Sequence, residues 1–352
     1  MIFLILAGLI VYGEMDETIV ADYVRDEGLK SAKQDFQGTP VDQKGRFVNI
    51  EYPFLPSFVN LMRWKLGGNP QAQEKKNDKS PLKIFDPTGF FNGENDGIIW
   101  LGHASVLIRL EGKTILIDPV FGNPSFIDRY FELPSPLGKI KNVDYVLTSH
   151  DHRDHLDEPT IRAIAEKFPD AKFLAGIGSE DVLYEWTGRK NRVKTAGWYE
   201  QFAIDDEDVR ITFVPVRHWS RRWINDTNRR LWGGYIIQGG GKTFYHGGDS
   251  GYGNHYAEMG EVFGEIDYFI IGIGSYAPRW FMKPNHNNPE DAWKAFKDSK
   301  AKYLVPMHYA TFNMTDEPPS EPLRRLKRVS EKKGEADKVR ALQIYESLVT
   351  SK

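Results

Sequence analysis

Short runs of β-branched and aromatic residues, separated by turn residues, dominate the chain from Gly97 onward. Such runs predict strands, which we place at 98–100, 105–110, 114–117, 145–148, 211–214, 235–238, 243–246, 268–271 and 303–306. Glu111-Gly112-Lys113 predicts a hairpin turn between two of these strands. Helical patterns lie between the later strands, at 158–168, 289–298 and 321–333. Early hairpins followed by strands that alternate with helices predict a layered α/β fold with mixed sheets.

An unbroken apolar run occupies residues 2–12 and is followed by the acidic Glu14, Asp16 and Glu17. The run is shorter than the ~20 residues that a membrane-spanning helix needs, and no Lys or Arg precedes it. We favour a signal or anchor that takes the protein to a membrane or exports it to the cell envelope. A buried N-terminal strand or helix is the alternative interpretation.

Changes in composition along the chain divide it into three regions. We expect an N-terminal extension at 1–45, an arm packed on the core at 46–96, and the main α/β domain at 97–352. Within the first two regions we predict an exposed helix, a linker and a surface loop, at 16–33, 38–45 and 67–81 respectively.

The charge balance and the absence of cysteine narrow the chemistry. Lys and Arg total 46 and Asp and Glu total 49, giving a net charge of −3. This balance argues against a nucleic-acid partner bound by bulk electrostatics. With no cysteine, the chain has no disulfide, thiolate metal site or thiol nucleophile. Any metal ion must therefore be held by His, Asp and Glu.

Ligand-type residues follow several of the predicted strands. His-Asp-His-Arg-Asp-His at 150–155 comes directly after the strand at 145–148, and His218, Asp249 and His308 each follow another strand. Sites in α/β sheets collect at the carboxyl ends of strands. A single His after a strand is more often a surface or capping residue. Four ligand-type residues in six positions, however, predict a metal site.

The spacing of the hexapeptide suits two divalent ions. His150 and His152 can converge on one ion, Asp154 and His155 can turn toward a second, and Asp249 can bridge the two. Paired ions roughly 3.5–4 Å apart share a hydroxide and clamp both the attacking and the leaving oxygen. Since the pKa of bound water falls to about 7, no protein nucleophile is needed. We therefore predict a metal-dependent hydrolase.

The order of these residues resembles the ligand order of the metallo-β-lactamase superfamily. Further segments resemble one branch, the N-acyl phosphatidylethanolamine-hydrolysing phospholipases D and their bacterial relatives, at 46–64, 100–106, 116–119, 231–234, 248–252, 276–283 and 307–312. The resemblance implies an α/β fold that is an αββα sandwich of two mixed β-sheets flanked by helices, with the catalytic domain at 97–352. It also implies two divalent ions, zinc first, with manganese or iron as alternatives.

The resemblance further implies a role for each site residue. His150, His152, His218 and Asp249 match the ligands of the first ion, and Asp154, His155, Asp249 and His308 match those of the second. Asp154, Asp249 and His103 form the implied catalytic group. Asp118 matches a family position near the site, where it would orient ligand imidazoles. His246 departs from the family pattern and is either a buried core residue or another contact to the ligands.

Basic residues beside the predicted ligands suggest an anionic substrate. We assign substrate binding to Arg279, Lys283, His286, Arg217 and Arg221. Arg222, Arg229 and Arg230 belong to the same basic loop, for which a purely solvated loop is the alternative. Asn285 replaces a longer amide of the relatives, and residues 122–136 do not align with them. For these reasons the lipid specificity of the branch does not carry over.

The leading hypothesis is a phosphodiesterase that uses a dinuclear metal-bound hydroxide, with a small anionic diester or a phospholipid as substrate and a membrane surface as partner. The first alternative is a lactonase or amidase on the same dinuclear site. The second is a non-catalytic, membrane-associated metal-binding protein. The native substrate, native metal and oligomeric state stay open at this point.

Overall fold

The structure is a computed structural model that describes residues 20–124, 127–204 and 206–350. The apolar run at 2–12, and the signal or anchor predicted from it, lie outside the described residues. Among the described residues, no helix combines the length and the apolar character needed to cross a membrane.

Strands outnumber helices in the described part of the chain. The strands are β1 (Val20–Val24), β2 (Lys30–Ser31), β3 (Thr39–Asp42), β4 (Gly97–Gly102), β5 (Ser105–Leu110), β6 (Lys113–Ile117), β7 (Tyr145–Thr148), β8 (Lys172–Gly176), β9 (Val193–Ala196), β10 (Glu200–Gln201), β11 (Arg210–Val214), β12 (Gly234–Gly239), β13 (Lys242–His246), β14 (Tyr268–Gly272), β15 (Tyr303–Met307) and β16 (Ser347–Val349). The helices are α1 (Phe58–Leu66), α2 (Ala72–Asn77), α3 (Thr88–Asn92), α4 (Glu158–Lys167), α5 (Glu180–Thr187), α6 (His255–Phe263), α7 (Arg279–Met282), α8 (Pro289–Asp298) and α9 (Glu321–Lys332).

Two seven-stranded sheets build the core. The first has the order β16-β4-β5-β6-β7-β8-β9, antiparallel from β16 to β6 and parallel from β6 to β9. The predicted hairpin between β5 and β6 is confirmed, because Leu110 pairs with Lys113 and both loop residues, Glu111 and Gly112, have positive φ. That conformation matches the twist of the flanking strands.

The second sheet has the order β15-β14-β13-β12-β11-β10-β2. Strands β13 to β15 are parallel and the others antiparallel. Tyr235 of this sheet crosses to the first one, where its hydroxyl lies 2.6 Å from the Thr148 carbonyl oxygen and 3.0 Å from that of Leu174. The sheets thus pack against each other with helices outside, which confirms the expected αββα sandwich of mixed sheets.

Helix signals in the sequence explain where α4 and α8 begin. The Asp157 carboxylate accepts a hydrogen bond from the Thr160 amide, and the Asn288 side chain does the same for the Asp291 amide. Each helix also has a proline in its first turn, where the missing N–H costs nothing. The predictions for both helices and for α9 are confirmed to within one residue.

The predictions for the N-terminal regions are wrong in three places. The helix expected at 16–33 is instead β1 and β2 over the part that the structure describes, and the linker at 38–45 contains β3, which pairs with β1. The loop at 67–81 contains α2. Strand β2 is only two residues long and pairs with β10, so its position depends on a distant partner rather than on a local pattern.

Candidate metal centre

The two sheets bring the predicted ligands to one place. The loop after β7 supplies His150, His152, Asp154 and His155 from the first sheet. The second sheet supplies His218 after β11, Asp249 after β13 and His308 after β15. All seven predicted ligands therefore lie in neighbouring groups that have the geometry to hold an ion.

Three imidazoles form the first group. His152 Nδ1 lies 2.9 Å from His150 Nε2 and 3.2 Å from His218 Nε2. Donor atoms around a tetrahedral ion at about 2.0–2.1 Å lie roughly 3.3 Å apart, so these spacings suit a single ion. His218 Nδ1 donates to the Asn285 carbonyl oxygen at 3.1 Å. That bond leaves His218 Nε2 without a proton and free to bind.

The second group contains His103, Asp154, His155 and His308. Asp154 Oδ2 lies 3.6 Å from the Nε2 atoms of both His155 and His308. His103 Nε2 lies 2.9 Å from the same oxygen, so it can hold the carboxylate in place. His103 thereby joins the centre from the turn between β4 and β5.

The Asp249 carboxylate lies between the two groups. Its Oδ1 atom is 3.0 Å from His308 Nε2, and its Oδ2 atom is 3.2 Å from His155 Nε2. The same Oδ2 is 3.9 Å from His150 Nε2 and from His218 Nε2. One side chain therefore reaches donors of both groups, which is the arrangement predicted for a bridging ligand.

The unpartnered nitrogen atoms of this cluster fit metal ions. His155 Nε2 and His308 Nε2 are buried, and although they lie 3.2 and 3.0 Å from Asp249 oxygens, neither has a partner with hydrogen-bond geometry among the described residues. Such atoms are costly in a protein interior, and a bound ion would remove that cost. The donor set of imidazoles and carboxylates is also the one that Zn²⁺ uses in catalytic sites.

Electrostatics within the cluster favour added positive charge. Burial opposes ionisation of Asp249, but the imidazoles of His155 and His308 outweigh it and hold the pKa of Asp249 well below its usual range. Burial likewise acts against charge on His308, yet Asp249 and Asp154 raise its pKa to about 9. In contrast, burial lowers the pKa of His218 to about 3. The carboxylates thus attract cations where the second group lies.

Asp118 and His246 lie outside the ligand groups and form hydrogen bonds that fix the position of neighbouring residues of the centre. Asp118 Oδ2 accepts from His155 Nδ1 at 2.8 Å. His246 is fully buried, donates from Nε2 to the Ala104 carbonyl oxygen at 3.1 Å and accepts from the Gly248 amide at 3.3 Å. His246 therefore ties the residue before Asp249 to the turn that carries His103, and these hydrogen bonds go to backbone rather than to ligands.

The predicted substrate contacts occupy different environments. His286 faces the centre, with Nδ1 3.8 Å from Asp249 Oδ2. Arg279 pairs with Asp291 and donates to the His286 carbonyl oxygen at 2.6 Å. Arg217 donates to the Tyr252 carbonyl oxygen at 2.8 Å. Lys283 is exposed after α7, and Arg221 stacks over Trp219. Contact between any of these residues and substrate stays a prediction.

Two arginines of the predicted basic loop are buried instead of lining a mouth. Arg230 forms ion pairs with Asp151, Asp181 and Asp226. Arg222 is also buried and donates to backbone carbonyls of the ligand loop. Asp226 belongs to the same loop as the two arginines, but Asp151, Asp181 and the carbonyl partners come from other segments, which a local excess of Arg does not reveal. These side chains brace the 150–155 loop.

Sequence reasoning missed several residues that support the centre. Ser149 hydrogen-bonds to Asp118, and Thr311 accepts from the His103 amide at 3.0 Å. Trp219 packs on His152 and on Phe54, with ring centroids 4.6 and 6.1 Å apart. The position of Ser149 next to His150 was the available signal.

Comparison with known proteins agrees with the fold and the donor set. A family model described as a beta-lactamase superfamily domain matches residues 113–309. The structure of Igni18, a metallo hydrolase from Ignicoccus hospitalis, aligns with a TM-score of 0.56 at 24% identity, covering 72% of this chain and 97% of that one. The chain belongs to the metallo-β-lactamase superfamily, as its sequence motifs indicated, and it is a metal-dependent hydrolase of that group.

Among its relatives is an N-acyl-phosphatidylethanolamine-hydrolyzing phospholipase D from Caenorhabditis elegans. It is 34% identical over 78% of this chain and 82% of its own length. A UPF0173 metal-dependent hydrolase from Caldivirga maquilingensis is 29% identical over 63% of this chain and 86% of its own length. The similarity to the phospholipase thus extends over a larger share of this chain than the similarity to the second relative.

Proposed function

We propose that this protein is a phosphodiesterase that cleaves a phospholipid headgroup ester with two divalent ions. The observation that carries the proposal is the position of Asp249, whose two oxygens lie 3.0 and 3.2 Å from His308 and His155 while also facing the first group. The similarity to a phospholipase D over most of both chains supports the substrate class. When bound, the two ions would activate water and offset the charge that develops on the phosphoryl group.

The residues of the chain have separate tasks in this proposal. Asp249 holds the two donor groups in register, and His103 orients Asp154 through their 2.9 Å contact. His286 lies beside Asp249 and donates an N–H to a phosphoryl oxygen of the substrate. Arg279 holds His286 in position by donating a hydrogen bond to the His286 carbonyl oxygen. The exposed Lys283 adds positive potential at the entrance to the site. A positive entrance favours an anionic ester over a neutral one.

Exposed apolar residues of the arm favour a substrate in a membrane. Phe58 and Val59 of α1 are 60% and 62% exposed. Trp280 of α7 is half exposed, and Arg63 of α1 lies 4.9 Å over its ring. Because α7 leads into His286, this surface borders the candidate centre. Apolar and cationic side chains together bind anionic lipid interfaces.

Hydrolysis of defined substrates tests the proposed reaction. The metal-loaded protein should release the headgroup from phosphatidylethanolamine or its N-acyl form faster than it opens a neutral lactone or cleaves an amide of matched chain length. Lys283→Ala should raise KM for the diester more than for the neutral substrates. Preferred turnover of the lactone or amide would overturn the phosphodiesterase assignment.

Vesicle binding tests the membrane surface separately. Phe58→Ser combined with Val59→Ser should reduce co-sedimentation with anionic phosphatidylglycerol vesicles without reducing hydrolysis of a soluble diester. Val349→Ser is a matched control, because Val349 is also about half exposed. It pairs with Gly97, the first residue of β4, whereas His103 follows the last residue of that strand, so Val349 lies away from the candidate centre. Equal vesicle binding by all three proteins would refute the role of the arm.

A further inference from the structure

Ser149 lies between the two ligand groups and is completely buried. It follows β7 directly and precedes His150 in the chain. Its Oγ atom is 2.6 Å from Asp118 Oδ2, 3.0 Å from His150 Nδ1 and 3.4 Å from His155 Nδ1. Its own amide donates to Asp118 Oδ1 at 2.7 Å, and its carbonyl oxygen accepts from the Gly233 amide at 2.9 Å. The backbone on both sides of the hydroxyl is therefore fixed.

The direction of each hydrogen bond follows from the chemistry of the partners. Asp118 Oδ2 can only accept while the carboxylate is ionised, so the short contact takes the hydroxyl proton of Ser149. The hydroxyl oxygen is then an acceptor toward His150, and His150 Nδ1 must carry the proton. A neutral imidazole with its proton on Nδ1 has a free lone pair on Nε2. His150 Nε2 is the atom that faces His152, His218 and Asp249.

Asp118 also accepts a hydrogen bond directly from a histidine of the second group. Its Oδ2 atom accepts from His155 Nδ1 at 2.8 Å, which leaves His155 Nε2 free to face Asp154 and Asp249. One buried carboxylate thus reaches His155 directly and His150 through a hydroxyl. The two contacts fix the tautomer of one ligand in each group.

We propose that Ser149 is a positioning residue that relays the charge of Asp118 to His150 and thereby sets the affinity of the first metal group. This inference rests on the two-ion site of the proposed function. The inference separates the two groups experimentally. Removing the hydroxyl takes from His150 Nδ1 its 3.0 Å partner, whereas His155 Nδ1 loses only a 3.4 Å contact and keeps its 2.8 Å hydrogen bond to Asp118. Neutralising Asp118 affects both groups. Loss of a partner that orients a metal-binding imidazole typically weakens metal affinity about 10–100-fold.

Stepwise zinc dissociation constants, measured by competition with a chromophoric chelator, test the relay. Ser149→Ala should weaken one of two binding steps about 10–100-fold and leave the other within about threefold. The weakened step should be the one that His218→Ala abolishes, and the retained step the one that His308→Ala abolishes. Asp118→Asn should weaken both steps, and asparagine tolerates the positive φ of this position.

Ser105→Ala is the matched control. Ser105 is equally buried, and its hydroxyl donates to the Asp118 carbonyl oxygen at 2.7 Å and accepts from the Val120 amide, so both hydrogen bonds go to backbone rather than to an imidazole. This variant should keep both zinc steps, with thermal unfolding of the chelated proteins as the check on folding. Two unchanged steps in Ser149→Ala, or equal weakening of both, would overturn the relay alone. Fewer than two steps in the wild-type protein would overturn the two-ion site and the relay with it.

Discussion

Replacing Arg230 with methionine should destabilise the protein without any substrate present. The guanidinium is buried, 3.2 Å from the fully buried Asp151 and paired with Asp226 and Asp181. Removing one partner of a buried ion pair costs about 3–5 kcal/mol, because it leaves an uncompensated charge. Methionine keeps much of the side-chain volume, so the loss of charge dominates.

The expected fall in melting temperature follows from the size of the chain. An unfolding entropy of about 2.1 cal/mol/K per residue gives roughly 0.7 kcal/mol/K for 352 residues. A loss of about 3–5 kcal/mol then lowers Tm by about 4–7 °C. Calorimetry in excess chelator measures this change without any contribution from bound metal.

Arg229→Met provides the control, since Arg229 is the exposed neighbour of Arg230. Its Tm should change by less than about 1 °C, as surface substitutions usually cost under about 0.5 kcal/mol. If Arg230→Met also changes Tm by less than about 1 °C and raises KM for an anionic substrate instead, the side chain belongs to the entrance and the structural interpretation is refuted.

Three further predictions concern the bridge, the packing of the sheets and the chain terminus. Asp249→Ala should abolish turnover and reduce metal loading below two ions per chain, and a count of two by elemental analysis would contradict the bridging role. Gly176→Ala should lower the free energy of unfolding by about 2 kcal/mol or more, because the added Cβ would lie 2.3 Å from the Leu231 carbonyl oxygen. Urea denaturation measures this change, and an unchanged midpoint would show that the sheets can move apart to make room for the methyl group. Deleting residues 1–13 should release the protein from membranes with activity on soluble diesters retained, and an unchanged membrane fraction in cell fractionation would refute the anchor.

The sequence predicted that these ligand-type residues would lie together, because the signal is local. Each ligand-type residue follows a strand whose pattern is readable, and His150 to His155 are concentrated in one hexapeptide. Strand ends in a sheet of this class converge in space. The structure accordingly brings His218, Asp249 and His308 beside the hexapeptide.

Long-range partners account for the features that the sequence did not predict. Arg230 has the local appearance of a substrate-binding residue, but Asp181 and Asp151 reach it from elsewhere in the chain. Strand β2 exists through its pairing with β10. Neither the ion pairs of Arg230 nor the pairing of β2 produces a periodic pattern of hydrophobic residues, so neither could be predicted from that pattern.

The central claim is that two ions at this site cleave phosphodiesters, and a metal count paired with an activity assay tests it most directly. The purified protein should hold about two divalent ions per chain and hydrolyse bis-(p-nitrophenyl) phosphate. Chelation should abolish the activity, and Zn²⁺ or Mn²⁺ should restore it. Two ions without diesterase activity would contradict the proposed reaction, and a protein that binds no metal would contradict the site itself.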